Sequence, residues 1–249
     1  MNLSIGTCSL FTSALILSGC ATPPVLEQRL GQVLPNDASA SYDAGSDTVT
    51  LGKGGASVIL ANNGTLGNAG DYQNPPGTSR LLYKTTASGK GNVFAFASDD
   101  TSLGLVGAIA NRDAEVTVPT SGTAAFNGGY EGLIVRASDK NVVNGFTGTT
   151  CLLANFGASS ISGSIINRTG LTPVMIPVAP LSASGVFGTV VTGGQFPGDP
   201  TAVGRVSGMF ADVAGGEIVG VLQLDHFSSG QDYYEVGGFT TVAGAGVCP

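Results

Sequence analysis

His226 and the adjacent pair Tyr233-Tyr234 are the side chains of this sequence best suited to hold a ligand. They flank the short polar segment 228–230, which is typical of a tight turn. An imidazole and a phenol brought together across a hairpin are residue types that ligate haem iron. The competing interpretation, which the sequence favours, is that Tyr233 and Tyr234 alternate along one strand, one facing the core and one the surface.

Catalytic arrangements are not recognisable in the sequence. His226 is the single histidine, and its neighbour Asp225 would point to the opposite face of a strand, so the two do not form a dyad. There is no Gly-x-Ser-x-Gly elbow, and the glycine-rich segment 52–55 lacks the spacing of a phosphate-binding loop. The acidic residues are scattered, without a pair placed for glycoside hydrolysis. We predict a protein that is not an enzyme and has no resident cofactor.

Two acidic positions have more than one interpretation. Asp99-Asp100 has the oxygen ligands of a cation site, but a solvated loop is the favoured interpretation. Glu217 either accepts backbone N–H bonds from a turn that it closes or lies solvated in that turn, and the sequence does not separate these alternatives.

The N-terminal residues predict export and lipidation. Residues 3–17 are mostly apolar or small, which is too short for a membrane span of about 20 residues but typical of a signal peptide. This run ends in Leu17-Ser18-Gly19-Cys20, the pattern of a bacterial lipobox. We therefore predict a lipoprotein signal peptide over 1–19 and a lipid anchor on Cys20. Proline and small residues predict that 20–42 is an extended, lipidated tether.

Two of the four cysteines are left for the folded domain. Cys8 is lost with the signal peptide, and Cys20 carries the lipid, so Cys151 and Cys248 remain in an oxidising compartment. We predict a disulfide between them. Two buried thiols are the alternative, and no histidine or cysteine spacing supports a metal site.

The composition predicts an all-β protein. Charged residues make up 11% of the chain, against about 25% in typical domains, and 39 glycines separate short β-branched and aromatic runs. The net charge is −7, and there is no cluster of lysine or arginine, which excludes nucleic acid as a partner.

The predicted strands fall into two groups. The first group, in a β region over 43–118, contains 46–51, 56–61, 79–86, 91–98 and 103–111. The second group, over 119–249, contains 123–138, 150–157, 159–169, 185–193, 201–212, 216–227 and 232–243. In 216–227, Ile218, Leu222 and Leu224 share one face, as in a strand that faces a core. Antiparallel strands in this number favour a closed barrel, because closure removes sheet edges.

Three stretches of the second group resemble the barrel domain of transferrin-binding protein B-like surface lipoproteins, a group that includes factor H binding protein. They are PTSGTAAFNGGYEGLI (119–134), NFGASSISGSI (155–165) and GMFADVAGGEIVGVL (208–222). In the third stretch Gly208, Phe210, Glu217 and Gly220 match the family pattern. Segment 211–213 departs from it, because an aromatic residue, glycine and proline are expected there.

The resemblance implies an eight-stranded antiparallel barrel preceded by a smaller handle-like region. It also implies a lipoprotein of the bacterial outer membrane, displayed on the cell surface, that binds an extracellular ligand such as an iron carrier protein or haem. An outer-membrane transporter or a translocator would then be a further partner. The alternative is an adhesive or structural envelope lipoprotein without small-molecule cargo.

Overall fold

A computed structural model describes residues 26–100, 102–113, 115–212 and 215–244 of the chain. Across these ranges the protein consists of sixteen strands, with no helix, arranged in two antiparallel sheets. The all-β class and the barrel expected from the sequence are thus confirmed. The predicted signal peptide, Cys20 and Cys248 lie outside the described residues.

The first sheet, called here the handle sheet, has eight strands in the order β1-β8-β7-β6-β5-β4-β3-β2. Its strands are β1 (Leu26–Val33), β2 (Ser39–Asp43), β3 (Thr48–Lys53), β4 (Ala56–Leu66), β5 (Ala69–Gln73), β6 (Ser79–Thr85), β7 (Gly91–Ser98) and β8 (Val106–Arg112). The sheet curls around its own hydrophobic core, which includes Leu51, Leu81 and Phe96.

The second sheet is a closed barrel of eight strands. Its strands are β9 (Thr123–Arg136), β10 (Val142–Asn155), β11 (Ser160–Ile166), β12 (Val174–Pro180), β13 (Val186–Gly193), β14 (Val203–Phe210), β15 (Glu217–Ser228) and β16 (Gln231–Gly244). Neighbouring strands run antiparallel, so their connections alternate between two ends. We call one end the mouth, formed by 137–141, 167–173, 194–202 and 229–230, and the opposite end the base.

The prediction of an extended tether over 20–42 is wrong for residues 26–42, which the structure describes. Strand β1 pairs with β8 from Leu26↔Arg112 onward, and β2 pairs with β3. Without β1 and β2, strands β8 and β3 would be the edges of the sheet. The hydrogen bonds that β1 and β2 make to them outweigh the low strand propensity of this polar segment. Only 20–25 of the predicted tether lies outside the described residues.

Two further strands, β5 and β12, were not expected from the sequence. Strand β12 contains Pro177 and Pro180, and prolines argue against a strand because they lack an N–H group. The barrel accommodates them because β12 pairs with β13 only at Val174 and Met175, apart from an isolated bridge at Leu181. Few ladder hydrogen bonds are therefore demanded on that side. On the other side, the ladder to β11 shifts register between Ile176 and Ala179, so Pro177 has no partner there.

Strand β15 is apolar on both faces because two cores meet across it. Ile218, Leu222 and Leu224 face the barrel interior, as the alternation predicts. Val219 and Val221 face outward into a second core that lies between the barrel and the handle sheet. The outer side of this strand is therefore covered by protein, and the handle sheet buries it.

Polar contacts at this interface join the two sheets. Lys84 of β6 is buried, and its Nζ lies 3.0 and 3.1 Å from the two carboxylate oxygens of Glu131 on β9. Glu217 at the base is also buried, and it accepts hydrogen bonds from the backbone N–H and hydroxyl of Ser88, at 2.9 and 2.5 Å. Glu217 is thus neither solvated nor the group that closes its own turn. Asp212 has that role, accepting the N–H groups of Gly216 and Glu217.

Cys151 lies on β10 on the outward side of the barrel wall, yet it is buried. Its register partners are Asn127 on β9 and Ser164 on β11. The predicted disulfide to Cys248 stays a prediction, since Cys248 is outside the described residues.

The buried Lys84–Glu131 ion pair allows us to predict how the stability of the interface between the handle sheet and the barrel changes when one charge is removed. We expect Lys84→Met to lower the free energy of unfolding by about 3–5 kcal/mol, because it leaves the Glu131 carboxylate buried and uncompensated. The double variant Lys84→Met/Glu131→Leu should recover most of this loss, since an apolar pair needs no counter-charge. Urea unfolding of both variants measures the effect.

The control for this experiment is Arg136→Met, which breaks an exposed pair with Asp139. It should leave the urea midpoint nearly unchanged. A double variant as unstable as Lys84→Met would show that the pair acts through something other than its buried charges.

Candidate binding site at the mouth of the barrel

A cavity of about 280 Å³ opens at the mouth of the barrel. Its walls come from the mouth-side ends of the strands and from the loops 167–173 and 194–202. The lining residues are Ile134, Val143, Asn144, Phe146, Thr169, Leu171, Phe196, Ser228 and Tyr233. Aromatic and aliphatic side chains form most of this surface, and the polar groups among them are uncharged.

Beneath the cavity, the barrel interior holds a buried charged cluster centred on Glu235 of β16. Its carboxylate accepts hydrogen bonds from Tyr130 Oη at 2.6 Å and from Arg168, and His226 Nε2 lies 2.9 Å from it. All four side chains are at most 4% exposed. Arg168 belongs to the mouth loop 167–173, so its bond to Glu235 ties this loop to the cluster, and its second bond, to the carbonyl oxygen of Thr172 at 2.9 Å, lies within the loop.

The cluster keeps a negative charge stable inside the barrel. Burial raises the pKa of the Glu235 carboxyl, but the charge of Arg168 and the hydrogen bonds from His226 and Tyr130 favour the ionised form. The net effect is a pKa below the ordinary value of 4.5. Burial, together with the nearby Glu235 carboxylate, raises the pKa of the Tyr130 hydroxyl well above 10. At neutral pH Glu235 is therefore charged and Tyr130 is a neutral hydrogen-bond donor.

Ring contacts connect the charged cluster to the cavity. The guanidinium of Arg168 lies 5.2 Å from the centroid of the Phe146 ring, a cation–π distance. The Phe196 ring lies 5.7 Å from His226 and 6.4 Å from Tyr233, centroid to centroid. Phe146 and Phe196 therefore belong to the cavity wall and also cover the charged cluster.

Glycines in the barrel strands make room for the Tyr130 ring. A Cβ at Gly237 would lie 2.2 Å from the Tyr130 hydroxyl oxygen, and one at Gly132 would lie 2.8 Å from it. The signature glycines behave in the same way, since a Cβ at Gly220 would lie 2.3 Å from the Phe239 ring. Because these glycines have no side chain, the aromatic rings can pack directly against the strand backbone at these positions.

The structure brings together two of the three residues that the sequence proposed as iron ligands and turns the third away from them. His226 and Tyr233 are direct register partners, but the Nε2 of His226 is bonded to Glu235. Tyr233 packs against the barrel core, whereas Tyr234 packs against the core between barrel and handle sheet. The two tyrosines thus alternate in facing, as favoured from the sequence, although Tyr234 faces the interface rather than open surface.

The structure also places two other acidic residues considered in the sequence analysis, Asp225 on the outer wall of the barrel and Asp100 in a loop. Asp225 is exposed on the face of β15 opposite His226, as expected for a residue that does not form a dyad. Asp100 accepts hydrogen bonds from the N–H and hydroxyl of Ser102, which lower the pKa of its carboxyl. Within the described residues there is no group of three or more histidine, cysteine or acidic side chains placed to hold a metal ion.

Arg168, Glu235 and Phe196 were not identified by the sequence analysis. Arg168 is the only charged residue between Asn141 and Gly198, an isolation that could have marked it as functional. Glu235 occupies a position in an apolar strand pattern where a core residue is expected. Phe196 lies in a loop, where no periodicity points to it.

Comparisons with known proteins identify the fold but no close relative. No family model matches the chain, and no curated protein matches it in sequence. Among solved structures, a mutant of the vaccine antigen transferrin binding protein B from Haemophilus parasuis aligns with a TM-score of 0.52 and 14% identity. The isotype 1 transferrin binding protein B from serogroup B Neisseria meningitidis aligns with a TM-score of 0.53 and 14% identity.

These alignments cover most of this chain but less than half of the other two. They span 83% and 88% of this chain, against 44% and 43% of the Haemophilus and Neisseria chains. The curled handle sheet followed by a closed barrel is therefore a transferrin-binding protein B-like fold, as the sequence resemblance implied. No helix among the described residues is long and apolar enough to cross a membrane.

The cluster around Glu235 predicts a pH-dependent effect of Tyr130→Phe. Because the pKa of Glu235 is lowered by folding, its contribution to stability is present above about pH 4.5 and is lost as the pH falls through the folded-state value. At pH 7 we expect Tyr130→Phe to cost about 1.5–3 kcal/mol, the range for a hydrogen bond to a charged group. At an acidic pH, low enough to protonate the carboxylate in the folded state, the cost should be smaller.

Urea unfolding of wild type and variant at both pH values measures this difference. Tyr234→Phe, on the opposite face of β16, is the matched control and should show no such pH dependence. An equal cost of Tyr130→Phe at the two pH values would contradict the assignment of Tyr130 as a donor to an ionised Glu235.

Proposed function

We propose that this protein is a lipid-anchored outer-membrane lipoprotein that binds an extracellular ligand at the mouth of its barrel, for nutrient acquisition. The fold supports the proposal, because the solved proteins that share it are named for binding transferrin. The observation that carries it is the position of the cavity, at the barrel end opposite to the one where the chain enters the fold. The site contains no nucleophile–base pair, so we propose binding rather than catalysis.

The start of β1 defines which end faces the membrane in this proposal. Leu26 pairs with Arg112, whose guanidinium donates to the carbonyl oxygens of Ser184 and Phe210 at the base of the barrel. An extended chain spans at most about 3.6 Å per residue, so a lipidated Cys20 would hold Leu26 within about 20 Å of the bilayer. The base then faces the membrane, and the mouth faces the exterior.

A protein ligand is favoured over haem by the site geometry. The imidazole nitrogen Nε2 of His226 is already bonded to Glu235, and the hydroxyl of Tyr233 donates to Gln231. Tyr234 faces away from the cavity. A protein ligand needs only contact with the mouth loops and the cavity, and an iron carrier protein is the class implied by the fold. Transfer of iron would require an outer-membrane transporter, and surface display would require a translocator.

A second candidate function, an adhesive or structural envelope lipoprotein, is favoured by the outer face of β10–β13. These strands contain no charged residue. Their outward side chains include the exposed Leu153, Met175, Val178 and Val190. Exposed apolar patches of this kind are typical of protein contact surfaces.

Lipidation of Cys20 is tested directly in cells. When the full chain is expressed in a Gram-negative host grown with labelled palmitate, we expect label in the protein and its recovery with outer membranes. Cys20→Ala should abolish both, and Cys8→Ala, within the predicted signal peptide, is the matched control that should retain them. Absence of label from the wild-type protein would refute the anchor.

Ligand capture at the mouth is tested by surface plasmon resonance with iron-loaded carrier proteins and by absorbance titration with haemin. We expect saturable binding of a carrier protein, reduced at least about tenfold by Phe196→Ala, because residues in a central pocket dominate binding energy. Phe227→Ala, at an exposed outer position of β15, is the control and should bind like wild type. Failure of both ligand classes to bind would leave the adhesive function.

A further inference from the structure

The chemistry of the mouth cavity points to a narrower ligand class than its position does. We propose that the cavity binds a single uncharged aromatic ring, which is either a free monocyclic compound or a phenyl or phenol side chain of a protein ligand. In its second form the proposal rests on the proposed function, whereas in its first form it does not.

The cavity wall offers ring contacts on several sides. Phe146, Phe196 and Tyr233 line it together with the aliphatic Ile134, Val143 and Leu171. Aromatic rings pack favourably in tilted or edge-to-face arrangements with centroids about 4.5–7 Å apart. Phe196 already makes two such contacts, with His226 and Tyr233. A ring entering the cavity would extend this set of contacts rather than disrupt it.

The size of the cavity suits one ring. Its volume of about 280 Å³ lies just below the range of about 300–1,000 Å³ for pockets that take drug-sized ligands. Apolar cavities of about 150 Å³ lined by Leu, Ile and Phe stay dry and bind benzene. The mouth cavity therefore has room for a ring with a small substituent, and a macrocycle such as haem would not fit within it.

The charges near the cavity favour an uncharged ring. The ionic groups beneath the wall, Arg168 and Glu235, are fully buried and paired with each other. Arg136, the register partner of the lining residue Tyr233, is already paired with Asp139 at the surface. The polar lining groups, Asn144, Thr169 and Ser228, are neutral. A charged ligand would have to give up its hydration without gaining a counter-charge, which is costly.

Buried polar atoms without a hydrogen-bond partner also lie at this end of the barrel. Nδ1 of His226, on a residue 4% exposed that packs against Phe196, has no hydrogen-bond partner among the described residues. The same holds for Oγ1 of Thr172 and Oε1 of Gln195, in the two loops that close the mouth. None of these three residues lines the cavity, so the ring of the ligand, rather than a polar substituent, is the feature that the cavity wall selects.

The test uses p-cresol as the probe and the full-length protein in lipid nanodiscs, observed by methyl NMR. We expect saturable shifts of the Leu171, Val143 and Ile134 methyl signals, and no such shifts for the exposed Leu153 on the outer wall. The anion p-methylbenzoate should bind at least about tenfold more weakly. The absence of a saturable shift up to about 10 mM p-cresol would mean a Kd above about 10 mM and would overturn the proposal. Equal binding of the anion and p-cresol would also overturn it.

Two variants separate cavity binding from non-specific partition and distinguish the source of the ring. Leu171→Trp fills the cavity and should abolish the p-cresol shifts, whereas Leu153→Trp, on the exposed outer wall, should retain them. If Leu171→Trp also weakens capture of a carrier protein at least about tenfold, the ring belongs to that protein. If p-cresol binds and carrier capture is unchanged, the ring is a free compound. Shifts that persist in Leu171→Trp would overturn the site.

Discussion

Burial of β15 on both faces is the constraint on which the rest of the structure depends. Leu222 and Leu224 fill the barrel, while Val219 and Val221 on the outer side need a second cover. At about 25 cal/mol per Å² of apolar surface removed from water, exposing that outer side would be unfavourable. The handle sheet supplies the cover, so the two sheets form one structure rather than two independent units. The same packing occupies one side of the barrel and leaves the mouth open.

The chain has few charged residues, and each of three buried carboxylates has its own defined set of partners. Glu131 bonds to Lys84, Glu217 bonds to the Ser88 backbone and hydroxyl, and Glu235 bonds to Arg168, His226 and Tyr130. Because a buried carboxylate without partners is costly, these contacts allow few alternative arrangements of the two sheets and of the mouth loop. They also leave the cavity with a neutral lining, which makes shape and ring contacts the basis of selection there.

The fold was largely predictable, and the candidate site largely was not. Alternation in 216–227 and the glycine and aromatic signature of 208–222 predict a barrel strand, because a period of two follows from strand geometry. The edge strands β1 and β2 were predicted as tether, since their stability comes from pairing with β8 and β3 rather than from their own composition. Strand β12 was missed because its two prolines are tolerated only where its neighbour demands few hydrogen bonds.

By itself the sequence determined the strand class and the opposite facing of Tyr233 and Tyr234, which follow from local periodicity. It also determined the barrel, which follows from the number of antiparallel strands and from the family resemblance. Only the tertiary structure decided that Arg168 and Glu235 meet, that Glu217 bonds across to Ser88, and that Phe196 closes a cavity over His226. These pairs are far apart in the chain and leave no periodic signal. They become neighbours because barrel closure and the packing of the handle sheet bring distant strands together.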